Sequence, residues 1–184
     1  NGWAGRNQLR KISLFTLSMT PSVAFRITDE LSIGAGAVMT YATLDWSFEA
    51  PVLGGQHFKV DDADDFEAAP LVSLLYEPTP RFRIGVVYLG ETDLKLDGDV
   101  NVGIAAGLDA DFDLDLPLAQ AVRLHAVWEA SDMVSLFFSA RWEDWGELDT
   151  TAASINGGSF TVPLEFRDTW GGGVGVEVKT GERW

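Results

Sequence analysis

Apolar side chains return at every second position through most of this chain. Leu31, Ile33, Ala35, Ala37, Met39 and Tyr41 share one parity, against Ser32, Gly34, Gly36, Val38 and Thr40 on the other. Phe82, Ile84, Val86 and Tyr88 alternate with Arg83, Gly85, Val87 and Leu89, and Val122, Leu124, Ala126 and Trp128 with Arg123, His125, Val127 and Glu129. Val134, Leu136, Phe138, Ala140 and Trp142 repeat the pattern, as do Trp170, Gly172, Val174, Val176 and Val178. Successive side chains of a strand point to opposite faces, so period two predicts strands with one apolar face and one smaller, more polar face. Seven strands are predicted, over 11–27, 31–48, 68–78, 82–99, 114–130, 133–149 and 166–179.

The joins between these segments alternate in length. Short turns fall at Thr28-Asp29-Glu30, Glu77-Pro78-Thr79-Pro80, Ala130-Ser131-Asp132 and Lys179-Thr180-Gly181-Glu182. Long, acidic connections are expected over 50–68, 100–113 and 150–165. Short–long alternation describes an antiparallel up-and-down meander with unequal ends, as in outer-membrane barrels with tight periplasmic turns and long outer loops. Pro21 stands inside a strand pattern and predicts a bulge or an edge there.

A soluble β-sandwich or a lipocalin-like lipid-binding barrel alternates in the same way. Two features weigh against it. Several predicted strands run far beyond the roughly five or six residues usual in globular sheets. The apolar faces also end in Tyr88, Trp128, Trp142 and Trp170, and amphipathic rings favour the bilayer interface. The expected fold class is therefore all-β: a transmembrane antiparallel up-and-down barrel with its apolar set toward lipid and its small or polar set toward a lumen. Residues 1–184 read as a single partial barrel domain.

Composition narrows the function. No apolar run approaches the ~20 residues of a spanning helix, and the mean hydropathy of +0.05 suits barrel strands that show lipid only alternate residues. A net charge of −15 argues against nucleic acid, which needs basic surface. The absence of cysteine removes disulfides, thiolate metal sites and cysteine nucleophiles. The chain opens on Asn1-Gly2-Trp3-Ala4 without a basic start or apolar run, and closes on what reads as a turn just entered. Both ends therefore read as cuts in a longer chain.

Few residues invite chemistry. Gly171-Gly172-Gly173-Val174-Gly175 is followed by a strand pattern instead of the helix a phosphate loop needs; glycine there leaves room for a plug or ligand. Asp109, Asp111, Asp113 and Asp115 align at period two, as do parts of the Asp61–Glu67 run, and read as solvated strand ends above a membrane. His57, in an expected loop, and His125 are too far apart in the pattern for a metal site, and no Ser–His–Asp set stands out. No catalytic residue, metal or cofactor is expected. Arg26, Arg83, Arg123 and Arg141 share the lumen parity. They pair with neighbouring acids, touch a plug, or clamp a carboxylate through bidentate guanidinium geometry. The candidate ligand-binding set is Arg123, His125, Val127, Phe137, Arg141, Val87 and Leu89; Tyr88, Trp128, Trp142 and Trp170 form the candidate interface set.

The segments Thr20-Pro21-Ser22-Val23-Ala24-Phe25-Arg26 through Leu31-Ser32-Ile33-Gly34-Ala35-Gly36, Leu75-Tyr76-Glu77-Pro78 leading to Phe82-Arg83-Ile84-Gly85, Leu116-Pro117, Trp142-Glu143-Asp144-Trp145 and Phe166-Arg167-Asp168-Thr169-Trp170 occur in an order that resembles the FadL/TodX-type transporters of Gram-negative outer membranes. The resemblance implies a fourteen-stranded barrel about twice this length. Its lumen would be plugged by an N-terminal hatch, and this chain would supply roughly the central half of the strands, without the hatch or the closing strands. It also implies passive passage of long-chain fatty acids or other hydrophobic molecules, with outer-membrane lipid and lipopolysaccharide as surroundings and a monomeric complete barrel. The acidic stretch at 50–68 is shorter than the helical capture loop that the resemblance implies. A general porin and a hydrolase barrel are the rival membrane functions.

Overall fold

The computed structural model describes residues 11–50, 56–102, 109–155 and 157–180. Twelve strand pieces form one antiparallel sheet. They are β1 (Lys11–Met19), β2 (Ser22–Arg26), β3 (Leu31–Ala50), β4 (Gln56–Thr79), β5 (Phe82–Leu89), β6 (Thr92–Val102), β7 (Asp109–Leu118), β8 (Ala121–Glu129), β9 (Val134–Glu143), β10 (Thr150–Ile155), β11 (Gly158–Pro163) and β12 (Thr169–Val178). β1 and β2 both pair with β3, β5 and β6 both with β4, and β7 and β8 continue that ladder. The pieces therefore thread as seven long traverses, 11–26, 31–50, 56–79, 82–102, 109–129, 134–155 and 158–178, in the expected meander.

The expected long connections are mostly strand. β4 begins at Gln56 and pairs with β3 from Gln56 to Tyr76 with one irregularity at Asp61–Asp62, so the acidic run to Glu67 and His57 lie in a strand and not in a loop. β7 begins at Asp109, and β10 and β11 make a hairpin within 150–163. What remains of the first two connections, 51–55 and 103–108, lies outside the described residues. The acids of these strands resemble loop in the sequence because the parity of the apolar residues changes partway up.

The change is visible in the register. In β5, β8, β9 and β12 the even residues form continuous cross-strand rows: Tyr88–Val122–Trp142–Trp170, Ile84–Ala126–Phe138–Val174 and Phe82–Trp128–Leu136–Val176. This face stays open to the surroundings; Trp170 is 80% and Val174 83% exposed. The same face continues into β4, β3 and β2, as in the row Val86–Leu74–Ile33–Phe25. The other face carries Val87–Arg123–Arg141–Gly171 and Gly85–His125–Ser139–Gly173. An apolar outer face and a small or polar inner face hold here as expected. These four strands have 8, 9, 10 and 10 residues, close to the roughly 9–11 that a tilted strand needs to cross the hydrocarbon.

Above this band the faces exchange. Gly90 and Glu91 interrupt one traverse directly opposite Ala119 and Gln120 of the next, so both strands step over together and the pairing resumes in unchanged register. A step of one residue sends every later side chain to the other face. In β6 and β7, Leu94, Leu96, Val100, Ala110 and Phe112 consequently turn inward. They pack with Ala42, Leu44, Val60 and Ala63 into a dry core, with Trp46 edge-on to Phe112 at 6.1 Å. Irregular register between Leu44 and Trp46 of β3 and their β4 partners produces the same exchange in β4. Gly90 makes one step possible: its N–H donates to the Pro70 carbonyl at 2.8 Å, and any Cβ there would lie 2.6 Å from Pro70 Cδ. Pro21 marks the break between β1 and β2, where its carbonyl accepts from the Ala37 N–H.

The aromatic row sits at this boundary. Tyr88 donates its hydroxyl proton to Gln120 at 2.9 Å, Gln120 donates to Asp144, and the Trp142 indole N–H donates to Asp168 at 3.1 Å. That last bond holds the Asp168 carboxyl below the usual carboxylate range. Trp128 stands at the opposite end of the band, beside the turn at 130–133. Rings with an apolar body in the band and a polar edge at its rim suit a headgroup boundary.

On the upper outer face the exchange leaves carboxylates exposed. Asp64, Asp97 and Asp113 are successive cross-strand partners, as are Asp99 and Asp111. Burial pushes the Asp97 carboxyl above its ordinary value of 3.8, and the hydrogen bond and charge of Asp113 add to it, with Asp65 and Asp115 behind.

Two outcomes follow from this architecture. A lysine in place of Val174, mid-band on the outer face, costs about 2–4 kcal/mol of stability in a bilayer, whereas a lysine at Ser139 on the inner face costs far less; denaturant unfolding of the full-length protein in lipid compares them. Asp97 binds its proton more tightly folded than unfolded. Its stabilising contribution is complete below the ordinary carboxylate value and lost as pH rises through the raised one. Asp97→Asn therefore raises the thermal unfolding midpoint at neutral pH and leaves it near the parent's in acid.

Candidate functional site

The inner face of β5, β8, β9 and β12 positions the candidate residues. Their placement follows from register alone: Val87, Arg123, Arg141 and Gly171 occupy one cross-strand row, Gly85, His125, Ser139 and Gly173 the next, and Arg83, Val127, Phe137 and Gly175 the one below. Leu89 joins Ala121, Glu143 and Thr169 in the row above. All seven candidate ligand-binding residues thus share one face within four adjacent rows. The four interface aromatics lie on the opposite face.

Three hollows follow one another along this surface. The lowest, about 390 Å³, has Val127 and Phe137 as its walls. The middle one, about 530 Å³, is lined by Arg123, His125, Ser139, Arg141 and Gly171. The uppermost, about 260 Å³, lies under the step between β5 and β6 and is lined by Leu89, Thr92, Leu118, Ala121 and Trp145 among others. His125 and Ser139 belong to the lower two, and Arg123 to the upper two. The result is one lane whose chemistry runs apolar, basic, apolar.

The basic stretch is compact. Arg123 and Arg141 are direct cross-strand neighbours, a placement in which like charges repel. Glu143 lies one row above on the same face, and its carboxylate is engaged by the Trp145 indole N–H at 3.2 Å and the Thr169 hydroxyl at 3.3 Å. Among the described residues, Arg26 meets Glu77 at 3.9 Å and Arg81 meets Asp132, both near the turns of the opposite rim. Neither Arg123 nor Arg141 has an acid at ion-pair distance within the described residues. Glu143 feels the charge of both, but with no described acid in direct contact the two guanidinium groups facing the lumen offer donors to an anion.

Several residues of this lane escaped the period-two reading. Thr92 and Leu118 line the upper hollow only because the strands step over at 90–91 and 119–120, and Trp145 reaches it from the 3-10 turn Trp145–Asp149 that follows β9. The available signal was the Gly90–Glu91 pair amid an otherwise regular run, next to a proline-containing neighbour. No side-chain group of three or more histidines, cysteines or carboxylates suited to holding a metal occurs among the described residues. His57 and His125 sit on β4 and β8.

The fold is shared with solved proteins. Over 99% of its length the chain superposes on a Pseudomonas aeruginosa FadL homologue with a TM-score of 0.83 and 21% identity, covering 50% of that chain. The Ralstonia pickettii toluene transporter TbuX matches over 94% of this chain and 54% of its own, at a TM-score of 0.73 and 19% identity. The Pseudomonas putida toluene transporter TodX gives 0.69 and 15% identity over 93% of this chain and 53% of its own. The chain therefore spans about half the length of these solved relatives, and their likeness establishes the fold: half the wall of an antiparallel outer-membrane β-barrel. No curated protein matches the sequence. The model of a family described as outer membrane protein transport protein (OMPP1/FadL/TodX) matches residues 1–184. With that match along its whole length, the chain belongs to the OMPP1/FadL/TodX family of outer-membrane transport proteins.

Proposed function

We propose that this chain forms about half of the wall of a barrel that passively conducts amphipathic hydrophobic molecules, long-chain fatty acids among them, across the Gram-negative outer membrane. The observation that carries the reading is the lane itself: apolar hollows at Phe137 and at Leu118–Trp145, joined by the Arg123–Arg141 pair. A water-filled general pore has no use for apolar walls in its lumen. An amphiphile does, because burying its chain gains about 25 cal/mol per Å² of apolar area, while its head takes the guanidinium donors. Val87, Val127, Phe137 and Leu89 supply apolar wall, and Arg123, His125 and Arg141 the polar station.

No step requires a covalent intermediate or a cofactor. A ligand leaves one hollow for the next because the hollows share residues and none is enclosed, so no single site holds it too tightly. Two of the solved neighbours are toluene transporters, and neutral aromatic hydrocarbons would use the same apolar hollows without the arginines. As a single partial domain completed by further strands, the wall closes on its own edges and works as a monomer. Its apolar face then lies in outer-membrane lipid and its acidic upper face among lipopolysaccharide headgroups.

The test is selectivity. Full-length protein reconstituted in liposomes is assayed with a long-chain carboxylate and with an uncharged hydrocarbon of equal length. Arg141→Gln should cut carboxylate uptake about tenfold, the scale of one lost charged hydrogen bond, and leave the uncharged ligand nearly unaffected. Equal loss of both ligands would remove the arginines from recognition.

A further inference from the structure

We propose that Gly171 is a positioning residue for Arg141, and that its missing side chain sets the preference between carboxylated and uncharged ligands. The inference rests on the reading of Arg141 as the polar station of the lane.

Gly171 of β12 is the direct cross-strand partner of Arg141 of β9, on the inner face. A Cβ built there would lie 2.6 Å from Arg141 Nε, 3.0 Å from Cγ and 3.3 Å from Cδ. The three nearest atoms all belong to one side chain, and none is backbone. Arg141 therefore lies flat across the β12 main chain at a place where nothing projects from it. The other inner-face glycines of β12 are different: at Gly173 the nearest atom is the Ser139 hydroxyl at 3.0 Å, and at Gly175 it is Phe137 Cβ at 3.6 Å.

The sheet order β8–β9–β12 explains what the space does. Arg123 stands beside Arg141 on β8. By leaning over β12, Arg141 moves its charge away from Arg123, which relieves the repulsion of two like charges placed directly opposite. Both arginines line the middle hollow, where a carboxylate would meet their guanidinium groups. A methyl at position 171 meets a flexible side chain and no rigid main chain, so the side chain yields. Arg141 is pushed back toward Arg123 and into the bore. The fold is retained, but the anion station is crowded and the lane is narrower for any ligand.

The experiment uses full-length protein in liposomes, with the same carboxylate and uncharged hydrocarbon. Folding of each variant is read from the faster gel migration of the unheated barrel. Gly171→Ala should fold and lower the carboxylate-to-uncharged uptake ratio at least about threefold, part of the tenfold or so expected for Arg141→Gln. Val176→Ile, which adds a methyl to the lipid-facing side of the same strand at a residue that lines none of the three hollows, should leave the ratio unchanged. Combining Gly171→Ala with Arg141→Gln should lower it no further than Arg141→Gln alone, since the glycine acts through that arginine. An unchanged ratio in Gly171→Ala, beside a lowered one in Arg141→Gln, would overturn the positioning role and spare the arginine station. An unchanged ratio in Arg141→Gln would remove the station itself and the inference with it. Loss of the folded band in Gly171→Ala, or further loss in the double variant, would assign the glycine to the main chain and likewise overturn the proposal.

Discussion

A strand that crosses hydrocarbon must satisfy every backbone N–H and C=O through its neighbours, because lipid offers no partner. That requirement holds the ladders of this sheet together in unbroken pairing from rim to rim of the band. It also has a cost in freedom: once paired, a strand has no choice about its side chains, which alternate strictly between two faces. The traverses here are longer than the band, so each passes from lipid to water while obeying the same alternation. What suits lipid on the outer face is wrong in water, and the structure resolves the conflict by stepping the chain over by one residue at the boundary.

The paired breaks at 90–91 and 119–120 are the clearest form of that solution. Because they lie opposite each other, the register of β5 with β8 and of β6 with β7 is the same on both sides. Below them, apolar residues such as Val174 and Phe138 face outward; above them, Leu94, Leu96 and Phe112 face inward and pack. The acids of β6 and β7 are then exposed to water at the outer surface without entering lipid. The same step also creates the upper hollow, since Thr92 and Leu118 enter the inner face only by way of it. Boundary, core and lane have one origin.

The inner face carries the functional argument because it is where the sheet departs from simple lipid solubility. Two arginines side by side inside a membrane band are expensive unless they face a lumen and meet an anion or a counter-charge. Glycines on β12 make the wall thin where Arg141 lies against it. Apolar residues at Val127 and Phe137 on that same face serve no purpose toward lipid, and their presence beside basic groups suits a ligand with both characters.

Much of this was legible in the alternation of side chains. Lipid contact selects apolar residues at period two, so the sequence determined the strands of the band, the meander, the two faces and the assignment of Arg123, His125, Phe137 and Arg141 to one of them. The placement of Tyr88, Trp128, Trp142 and Trp170 together on the apolar face was readable for the same reason. The upper strands were not, because Asp61 to Glu67 and Asp109 to Asp115 look like loop when parity is assumed constant. Local sequence records which residues alternate; which face each parity takes depends on bulges, and a bulge is defined by what a neighbouring strand does. Pairing across strands alone decided that Leu94 and Leu96 are interior, that Arg141 stands between Arg123 and Gly171, and that the hollows join into a lane. These are relations between segments far apart in the chain, set by hydrogen-bond register, and no single segment carries them.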